Sequence, residues 1–298
     1  MTHVLTLIAA KAKTLLTSEI VAAVANALAA SGIASGQTDW LAQGEACDIP
    51  FEGDKAAAAA LARGIVAGRA IDVGAVALTG RRKMLLLADM DSTMIAQECI
   101  DELAVEIGAG EIVAAITERA MRGETAFRPA LRQRAALLKG LQVSTVDKVL
   151  AERITMTPGG RALVATMRAN GAYASLVSGG FNTFAGPVAS RLGFDDFRAN
   201  TLNQENGLFT GTVIEPVLGC AAKHDRLREL IGERGLDRTD TLAVGDGAND
   251  MAMIGAAGLG VAFHAKPVVE AGADIAIRHC DLTVLLFVQG YRREEFVE

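Results

Sequence analysis

Aromatic side chains are scarce in this sequence of 298 residues, which holds one Trp, two Tyr and ten Phe. A hydrophobic core must therefore be built mainly from Ala, Leu, Val and Ile. Hydrophobic residues make up 51% of the chain and charged residues 21%, a composition typical of a globular protein that can bury a sizeable core. The length allows one large domain or two of ordinary size.

A surplus of basic residues is also missing. The 35 acidic residues outnumber the 29 basic ones, and the net charge is −6. Nucleic-acid-binding proteins usually carry a basic surface, so we expect no nucleic-acid partner. The net charge does not exclude an anionic small substrate, because the local charge of a pocket can oppose the charge of the whole protein.

Long apolar runs are absent, since none approaches the ~20 residues that cross a bilayer. Lys11 and Lys13 interrupt the first 16 residues, which lack the form of a signal peptide. We therefore predict a cytoplasmic protein without membrane contact. Cysteine is sparse and without paired spacing, which predicts reduced, mostly buried thiols and no zinc site. The four cysteines are Cys47, Cys99, Cys220 and Cys280.

The pattern of residues 1–80 predicts a small α+β domain. Strand-like segments at its start and end enclose two helices and a pair of short strands, in the order βαββαβ. Ser18 is placed to cap the first helix and Gly32 to end it, while Asp54 is placed to cap the second helix. The polar and basic residues 79–84 predict a linker into the rest of the chain.

Residues 81–298 alternate nearly continuous apolar strands with helices, which predicts an α/β fold with a doubly wound parallel sheet. The expected strands are MLLLADMD (84–91), AYASLVSGG (172–180), TLAVGDG (241–247), GLGVAF (258–263) and ADIAI (273–277). Residues 97–155 show helical segments and no strand. Such an insertion after the first strand would lie over the carboxyl edge of the sheet, where these folds bind ligands, and would act as a cap. Asn206 and Gly207 predict a hairpin turn.

Two aspartates, Asp89 and Asp91, end the first strand. Residues two apart on an extended chain share a face, and adjacent carboxylates raise each other's pKa unless a cation is present. A hard divalent metal ion binds such oxygens. One aspartate can then act as a nucleophile while the other transfers protons. Alone, the pair fits a polar strand end that caps the next helix equally well.

Two further segments carry groups suited to a phosphate. Ser178 and Gly179 end the second strand, where glycine lets consecutive backbone N–H groups approach an anion. Taken singly, an ordinary strand-to-helix turn explains them better. Lys223 begins a helix, and it matters only if the fold brings it beside the aspartates.

The third strand ends in GDGAND, which contains Asp246, Asn249 and Asp250. Asp246 is suited to bind a metal ion, and Asp250 is placed to orient ligands from behind. The strand ends would converge at one edge of a parallel sheet. With this set, the chain resembles the haloacid-dehalogenase-type phosphohydrolases, and among them the phosphoserine phosphatases, over about residues 83–286. Matching stretches are DMDSTMIAQECIDELA, FRPALRQRAALLKGL, VSGGFNTFAGPVASRLG and AVGDGANDMAMIGAAGLGVAFHAKP.

The resemblance implies Mg²⁺-dependent hydrolysis of O-phosphoserine to serine and phosphate through an aspartyl phosphate, the last step of serine biosynthesis. It implies Asp89 as the nucleophile and Asp91 as the proton donor. The implied substrate-binding residues are Glu98, Met121, Phe127, Arg134, Ser178, Gly179, Lys223 and Asn249. The implied magnesium ligands are Asp89, Asp91 through its carbonyl, and Asp246, with Asp250 in support.

Recognition of the amino acid is implied for the cap. Glu98 would meet the substrate ammonium and Arg134 its carboxylate, because guanidinium and carboxylate fit as a two-point fork. Met121 and Phe127 would cover the site. Without the resemblance, Glu98 is equally a helix-surface acid, Arg134 one of several basic residues, and Met121 and Phe127 core residues.

Other hypotheses stay open at this point. A receiver-type signalling domain also uses an aspartate at a strand end, magnesium and a lysine, but it lacks a cap and a residue equivalent to Asp91. Another hypothesis keeps the same fold but changes the reaction: the protein would hydrolyse another small phosphomonoester, or transfer the phosphate to another alcohol. The N-terminal βαββαβ order resembles ACT-type modules, which bind amino acids or pair with copies of themselves. A homodimer through this unit and feedback by serine are hypotheses, and a folding or dimerisation module without a ligand fits as well.

Overall fold

The structure, a computed structural model, describes residues 1–10, 13–121 and 124–298; of Met121 it describes the backbone alone. The N-terminal part is an antiparallel sheet with two helices. Its strand order is β2-β4-β1-β5, and β3 pairs with β4. The elements are β1 (His3–Ala9), α1 (Ser18–Ala30), β2 (Ala34–Ser35), β3 (Asp39–Ala42), β4 (Ala46–Glu52), α2 (Lys55–Ile65) and β5 (Ile71–Ala77).

The caps of the two N-terminal helices follow local polar chemistry. Asp54 caps α2 as predicted, and its side chain accepts from the backbone N–H of Ala57 at 2.8 Å. The prediction of Ser18 as the cap of α1 is wrong, because the helix already begins there. Thr17 has the extended backbone of a cap and accepts from Ile20 N at 3.4 Å.

The alternation of β1 explains how the N-terminal sheet is covered on both faces. Leu5 and Leu7 pack with the two helices in one hydrophobic cluster. Val4 and Ile8, on the other face, belong to a second cluster that extends into the rest of the protein. The sheet is therefore sandwiched between its own helices and the larger part of the chain.

The larger part is built on a parallel sheet of order β13-β12-β11-β6-β7-β8. All five predicted strands are present. The sixth, β8 (DFRAN), lies at the edge of the sheet and was not predicted, because its sequence has no apolar run. The strands are β6 (Leu85–Ala88), β7 (Tyr173–Phe181), β8 (Asp196–Asn200), β11 (Thr241–Gly245), β12 (Leu259–Phe263) and β13 (Ile275–Ile277).

Helices connect these strands and cover the sheet. Buried residues on the two sheet faces form separate hydrophobic clusters, as a doubly wound fold requires: Leu86 and Ala88 face one, Leu85 and Leu87 the other. The helices are α7 (Gly160–Ala169), α8 (Asn182–Leu192), α9 (Cys220–Arg234), α10 (Met251–Ala256), α11 (Pro267–Gly272) and α12 (Val284–Val288).

Between β6 and α7, the described part of the chain forms four α-helices. These helices are α3 (Cys99–Val105), α4 (Gly110–Met121), α5 (Phe127–Leu137) and α6 (Thr145–Glu152). The predicted hairpin is also present and joins β9 (Leu202–Glu205) to β10 (Leu208–Val213). Its turn residues Asn206 and Gly207 have φ of +49° and +77°, as a two-residue hairpin turn demands.

Buried polar contacts fix the N-terminal sheet to the larger part. Asp72, on β5, accepts hydrogen bonds from the backbone N–H groups of Arg278, His279 and Cys280 at 2.9, 3.1 and 2.9 Å. Arg81 forms an ion pair with Asp48 of β4 at 2.6 Å. Its guanidinium also donates to the carbonyls of Val288 and Phe287 at the end of α12.

The segment predicted as a linker is thus part of this contact, since Arg81 bridges the two parts and Lys83 is buried. The prediction that the cysteines are mostly buried is confirmed, since Cys47, Cys99 and Cys280 are buried and Cys220 alone of the four is exposed. Among residues 1–10, 13–121 and 124–298, no helix combines the length and the apolar character that crossing a membrane requires.

Replacing Asp72 by Ala should lower the free energy of unfolding by about 2–3 kcal/mol, because the buried backbone N–H groups that donate to Asp72 would lose their acceptor. Urea unfolding followed by circular dichroism measures the change. The control is D225A, an exposed carboxylate on α9, which should stay within about 0.5 kcal/mol of the parent. Equal effects of the two substitutions would contradict this account of the contact.

Candidate active site

The site lies where the carboxyl ends of the central strands meet. Asp89 follows β6, Ser178 lies near the end of β7, and Asp246 follows β11. These three strands are neighbours in the order β11-β6-β7, so their ends share one edge. Lys223 reaches the same edge from the first turn of α9. The fold therefore gathers polar residues that lie up to 157 positions apart in the sequence.

Lys223 is the centre of the charge arrangement. Its ammonium lies 2.6 Å from Asp89 Oδ1 and 2.5 Å from Asp250 Oδ1, and all three side chains are buried. Burial disfavours the charged lysine, but the carboxylates of Asp250 and Asp89 outweigh it and raise the pKa of Lys223 above its ordinary value. The second oxygen of Asp250 accepts from Gly247 N at 3.0 Å. Asp250 is thus held on both sides.

Three carboxylates, those of Asp89, Asp246 and Asp250, place one oxygen each within 4.8 Å of one another. Burial, followed by the charge of Asp250, raises the pKa of Asp89 and raises that of Asp246 to about 6. With Lys223, the fully ionised group carries a net charge of −2. Carboxylate oxygens in this number and charge fit a hard divalent cation such as Mg²⁺. Both oxygens of Asp250 already have partners in Lys223 and Gly247 N. Asp250 is therefore better suited to support the site than to bind the cation itself.

Asp91 faces the same space from a tight turn over Met90–Met94. Its Oδ1 accepts from Cys99 N at 2.9 Å, and its Oδ2 accepts from the Ser178 hydroxyl at 3.3 Å. Burial raises the pKa of Asp91. The turn needs Ser92 at φ +56°, a left-handed conformation, and the Ser92 hydroxyl donates to Glu98 Oε1 at 3.0 Å. The turn thereby aims both aspartates into one cavity.

Small residues at the end of β7 leave room beside the aspartates. A Cβ at Gly180 would lie 2.9 Å from Asp91 Oδ2, and one at Gly179 would lie 3.0 Å from the ring of Phe127. The buried Asn200 donates to the carbonyl of Gly179 at 2.9 Å and accepts from Leu218 N at 2.7 Å. It therefore ties the Ser-Gly-Gly segment to the loop that leads into α9.

A cavity of about 330 Å³ opens above these groups. Its lining includes Asp89, Asp91 and Asp246. Lys223 contacts Asp89 and Asp250 behind this lining. The helices inserted between β6 and β7 supply much of the remaining lining. The lining residues from 98 to 134 are Glu98, Cys99, Ile100, Thr117, Ala120, Thr125, Ala126, Phe127, Leu131 and Arg134.

The helical period explains why α5 contributes three of these side chains. Phe127, Leu131 and Arg134 follow one another at spacings of four and three and so share a face. Arg134 is 6% exposed, and burial lowers the pKa of its guanidinium. Burial, followed by the charges of Asp91 and Asp246, raises the pKa of Glu98 to about 8. The lining between residues 98 and 134 thus contains one acidic and one basic side chain, Glu98 and Arg134, which a zwitterionic ligand would match.

The remaining predicted site residues are placed as follows. Phe127 is half-buried and lies against Gly179 and Gly219, and Asn249 lines the cavity beside Asp246. Met121 ends α4, but its side chain lies outside the described residues, so the structure does not bear on its predicted role.

Several residues at the site escaped the sequence analysis. Thr93 donates to Asp246 Oδ1 at 3.1 Å, and Thr117 accepts from Arg134 Nη1 at 2.9 Å. Asp101 and Asn200 are likewise part of its hydrogen-bond network. Thr93 lies two residues after Asp91 in the sequence, and this position could have indicated that it belongs to the site. The other three lie at positions with no local pattern that marks them.

The sequence profile of the haloacid dehalogenase-like hydrolase family matches residues 86–254. A phosphoserine phosphatase of Mycobacterium tuberculosis is 42% identical over 218 residues. The alignment covers 73% of this chain and 53% of that protein, so this chain spans about half the length of that curated relative.

Two solved structures extend the comparison. A phosphoserine phosphatase captured as a phospho-aspartyl intermediate analogue is 41% identical with a TM-score of 0.65, covering 69% of this chain and 98% of that one. A probable phosphoserine phosphatase from Vibrio cholerae, solved without a ligand, is 32% identical with a TM-score of 0.78, covering 99% and 88%. The predicted resemblance is confirmed: the chain belongs to the haloacid dehalogenase-like hydrolases, and within them to the phosphoserine phosphatase family.

Proposed function

We propose that this protein hydrolyses O-phosphoserine to serine and phosphate through an aspartyl-phosphate intermediate, with Mg²⁺ as its cofactor. The observation that carries the proposal is the buried Lys223, held between Asp89 and Asp250 beneath a cavity that also contains Glu98 and Arg134. Lys223, Asp89 and Asp250 suit the binding and transfer of a phosphoryl group. Glu98 and Arg134 suit the binding of an amino acid. The phosphatases to which the chain is similar support the same assignment.

The metal would be held by Asp89, Asp246 and the main-chain carbonyl of Asp91, with Asp250 in support. The clustered carboxylates and their net negative charge favour this assignment. When bound, Mg²⁺ would neutralise the charge on the phosphoryl oxygens.

Phosphoryl transfer begins at Asp89. One of its carboxylate oxygens attacks phosphorus, the bond from phosphorus to the serine oxygen breaks, and the carboxyl group of Asp91 gives its proton to that oxygen. Ser178, the backbone N–H of Gly179 and Lys223 hold the phosphoryl oxygens. The protein contributes mainly position and charge, since this reaction needs little other chemistry from it.

Hydrolysis then regenerates the enzyme. The carboxylate of Asp91 removes a proton from a water molecule, and the water oxygen attacks phosphorus. The bond from phosphorus to the Asp89 oxygen breaks, so phosphate leaves and Asp89 is again a free carboxylate. The contacts of Asp91 with Cys99 N and Ser178 hold its two oxygens toward the cavity for both steps.

Selectivity for an amino acid would come from Glu98 and Arg134. The substrate ammonium would favour the charged form of Glu98, whose pKa burial raises to about 8. Arg134 would bind the substrate carboxylate, and Asn249, Phe127 and Met121 would complete the walls. A fixed pair of opposite charges discriminates against phosphomonoesters that lack one of them.

We assign residues 97–155 the role of a cap that excludes bulk water and opens for product release. The lining of the cavity by α3, α4 and α5 supports this assignment. We further assign residues 1–80 to an ACT-like domain and residues 81–298 to the phosphatase core. The antiparallel sheet with its two helices supports the first of these. A homodimer through that domain and a cytoplasmic location stay predictions from the sequence.

A phosphatase or phosphotransferase for another small phosphomonoester is the alternative. The buried Arg134 in the cavity argues for a carboxylate in the substrate and therefore against it. The receiver-domain hypothesis is disfavoured by the family match and by Asp91, which lies in the cavity beside Asp89.

Asp89→Asn should reduce phosphate release from both phosphoserine and p-nitrophenyl phosphate by at least ~1000-fold, because an amide oxygen is a poor nucleophile. A colorimetric phosphate assay and nitrophenolate absorbance measure the two rates. D225N is the control and should retain activity. Substantial turnover by the Asp89 variant, shown to be folded by circular dichroism, would disprove the covalent mechanism.

Arg134→Ala should lower kcat/KM for phosphoserine by about 100-fold or more, since a buried charge that meets its partner contributes roughly 2–5 kcal/mol. Activity on p-nitrophenyl phosphate, which has no carboxylate, should change by only a few-fold. R132A on the same helix is the control, because Arg132 is exposed and pairs with Glu215. Equal losses on both substrates would argue for the alternative substrate class.

Magnesium should raise the thermal unfolding temperature of the protein, since binding at 100 times Kd stabilises the folded state by about 2.7 kcal/mol. Chelation with EDTA should abolish both the added stability and the activity. In D246N the shift should disappear at the same magnesium concentration, whereas D225N should keep it. A shift unchanged in D246N would place the cation elsewhere.

A further inference from the structure

A buried threonine joins three of the inserted helices at the cavity wall. The hydroxyl of Thr117 on α4 accepts from Arg134 Nη1 on α5 at 2.9 Å and donates to Asp101 Oδ1 on α3 at 2.7 Å. Thr117 is 4% exposed. The three side chains come from sequence positions up to 33 apart, so only the packing of the helices brings them together.

The direction of these hydrogen bonds is fixed by chemistry. A guanidinium has only donors, and an ionised carboxylate has only acceptors, so the hydroxyl between them must accept from Arg134 and donate onward. Its single proton can reach Asp101, or the carbonyl of Val113 at 3.0 Å. Asp101 is the nearer acceptor and the stronger one when ionised. The chain of bonds therefore runs from guanidinium through hydroxyl to carboxylate.

Inserting a hydroxyl between the two charges has a consequence for ligand binding. Burial disfavours the charged form of Arg134, and the negative charges of Glu98 and then Asp101 oppose that effect. Among the described residues, however, no carboxylate forms a direct ion pair with Arg134, and its Nη2 has no partner. Nη2 is therefore free to bind an incoming carboxylate, while Nη1 is held by its hydrogen bond to Thr117.

We propose that Thr117, backed by Asp101, is a positioning residue that fixes the Arg134 guanidinium and so sets selectivity for a substrate carboxylate. The inference rests on the proposed function, in which Arg134 binds that carboxylate. A long arginine side chain has many rotamers, and holding it in one before the ligand arrives reduces the cost of binding. The same bonds would matter little for a phosphomonoester without a carboxylate.

The experiment compares T117V and T117S, each assayed with phosphoserine and with p-nitrophenyl phosphate. T117V keeps the shape but removes the hydroxyl, and it should raise KM for phosphoserine about 10-fold, with kcat for that substrate changed less than three-fold. Its kinetics on p-nitrophenyl phosphate should stay within about two-fold of the parent. T117S restores the hydroxyl and should restore the phosphoserine KM to within about three-fold.

A matched control separates positioning from general packing. Thr166 on α7 is another buried threonine, and its hydroxyl accepts from Val297 N at 2.8 Å away from the cavity. T166V should lower the unfolding temperature without a change in KM for either substrate. If T117V fails to fold, D101N takes its place, since it keeps the acceptor but removes the charge; it should raise KM for phosphoserine alone, by about three-fold.

The outcomes distinguish this inference from the proposed function. An equal loss on both substrates in T117V, or no rescue by T117S, would show a structural role and overturn the inference. No change in T117V beside a selective loss in R134A would overturn it while leaving the proposed function intact. A non-selective loss in R134A itself would remove carboxylate recognition, and with it both proposals.

Discussion

The buried ammonium of Lys223 is the interaction on which the site depends. Without it, Asp89 and Asp250 would bring two carboxylates together in a buried space with no basic side chain between them, at a large cost in desolvation and repulsion. With it, the carboxylates converge and Asp89 keeps an oxygen directed into the cavity. Lys223 lies on α9, which follows the β9–β10 hairpin. The site therefore forms only if the chain places α9 correctly after that hairpin.

Buried polar contacts connect distant parts of the chain both at the site and away from it. Asn200 joins the Ser-Gly-Gly segment to the loop that precedes α9, so the groups suited to phosphate share one support. Farther away, Asp72 and Arg81 attach the N-terminal sheet to the carboxyl end of the chain. One face of that sheet is thereby occupied by the larger part of the protein, and its two helices cover the other.

Sequence patterns predicted the elements whose signals are local. Continuous apolar runs located five central strands, and Asn206-Gly207 located the hairpin, because backbone preference and burial act there over a few residues. The edge strand β8 was missed because DFRAN is stabilised by pairing with one neighbour rather than by an apolar run. The cap of α1 was misplaced by one residue because adjacent Thr17 and Ser18 have equivalent side chains for this purpose.

By itself, the sequence determined the order of elements, the Asp-x-Asp segment and the resemblance to a phosphatase family, since each is carried by contiguous residues. The tertiary structure alone decided that Lys223 contacts Asp89, and that Thr117, Asp101 and Arg134 form one chain of hydrogen bonds. The physical reason is the same in both cases. A hydrogen bond or ion pair needs donor and acceptor atoms about 3 Å apart, and residues far apart in the sequence reach such distances only through the packing of the elements that carry them.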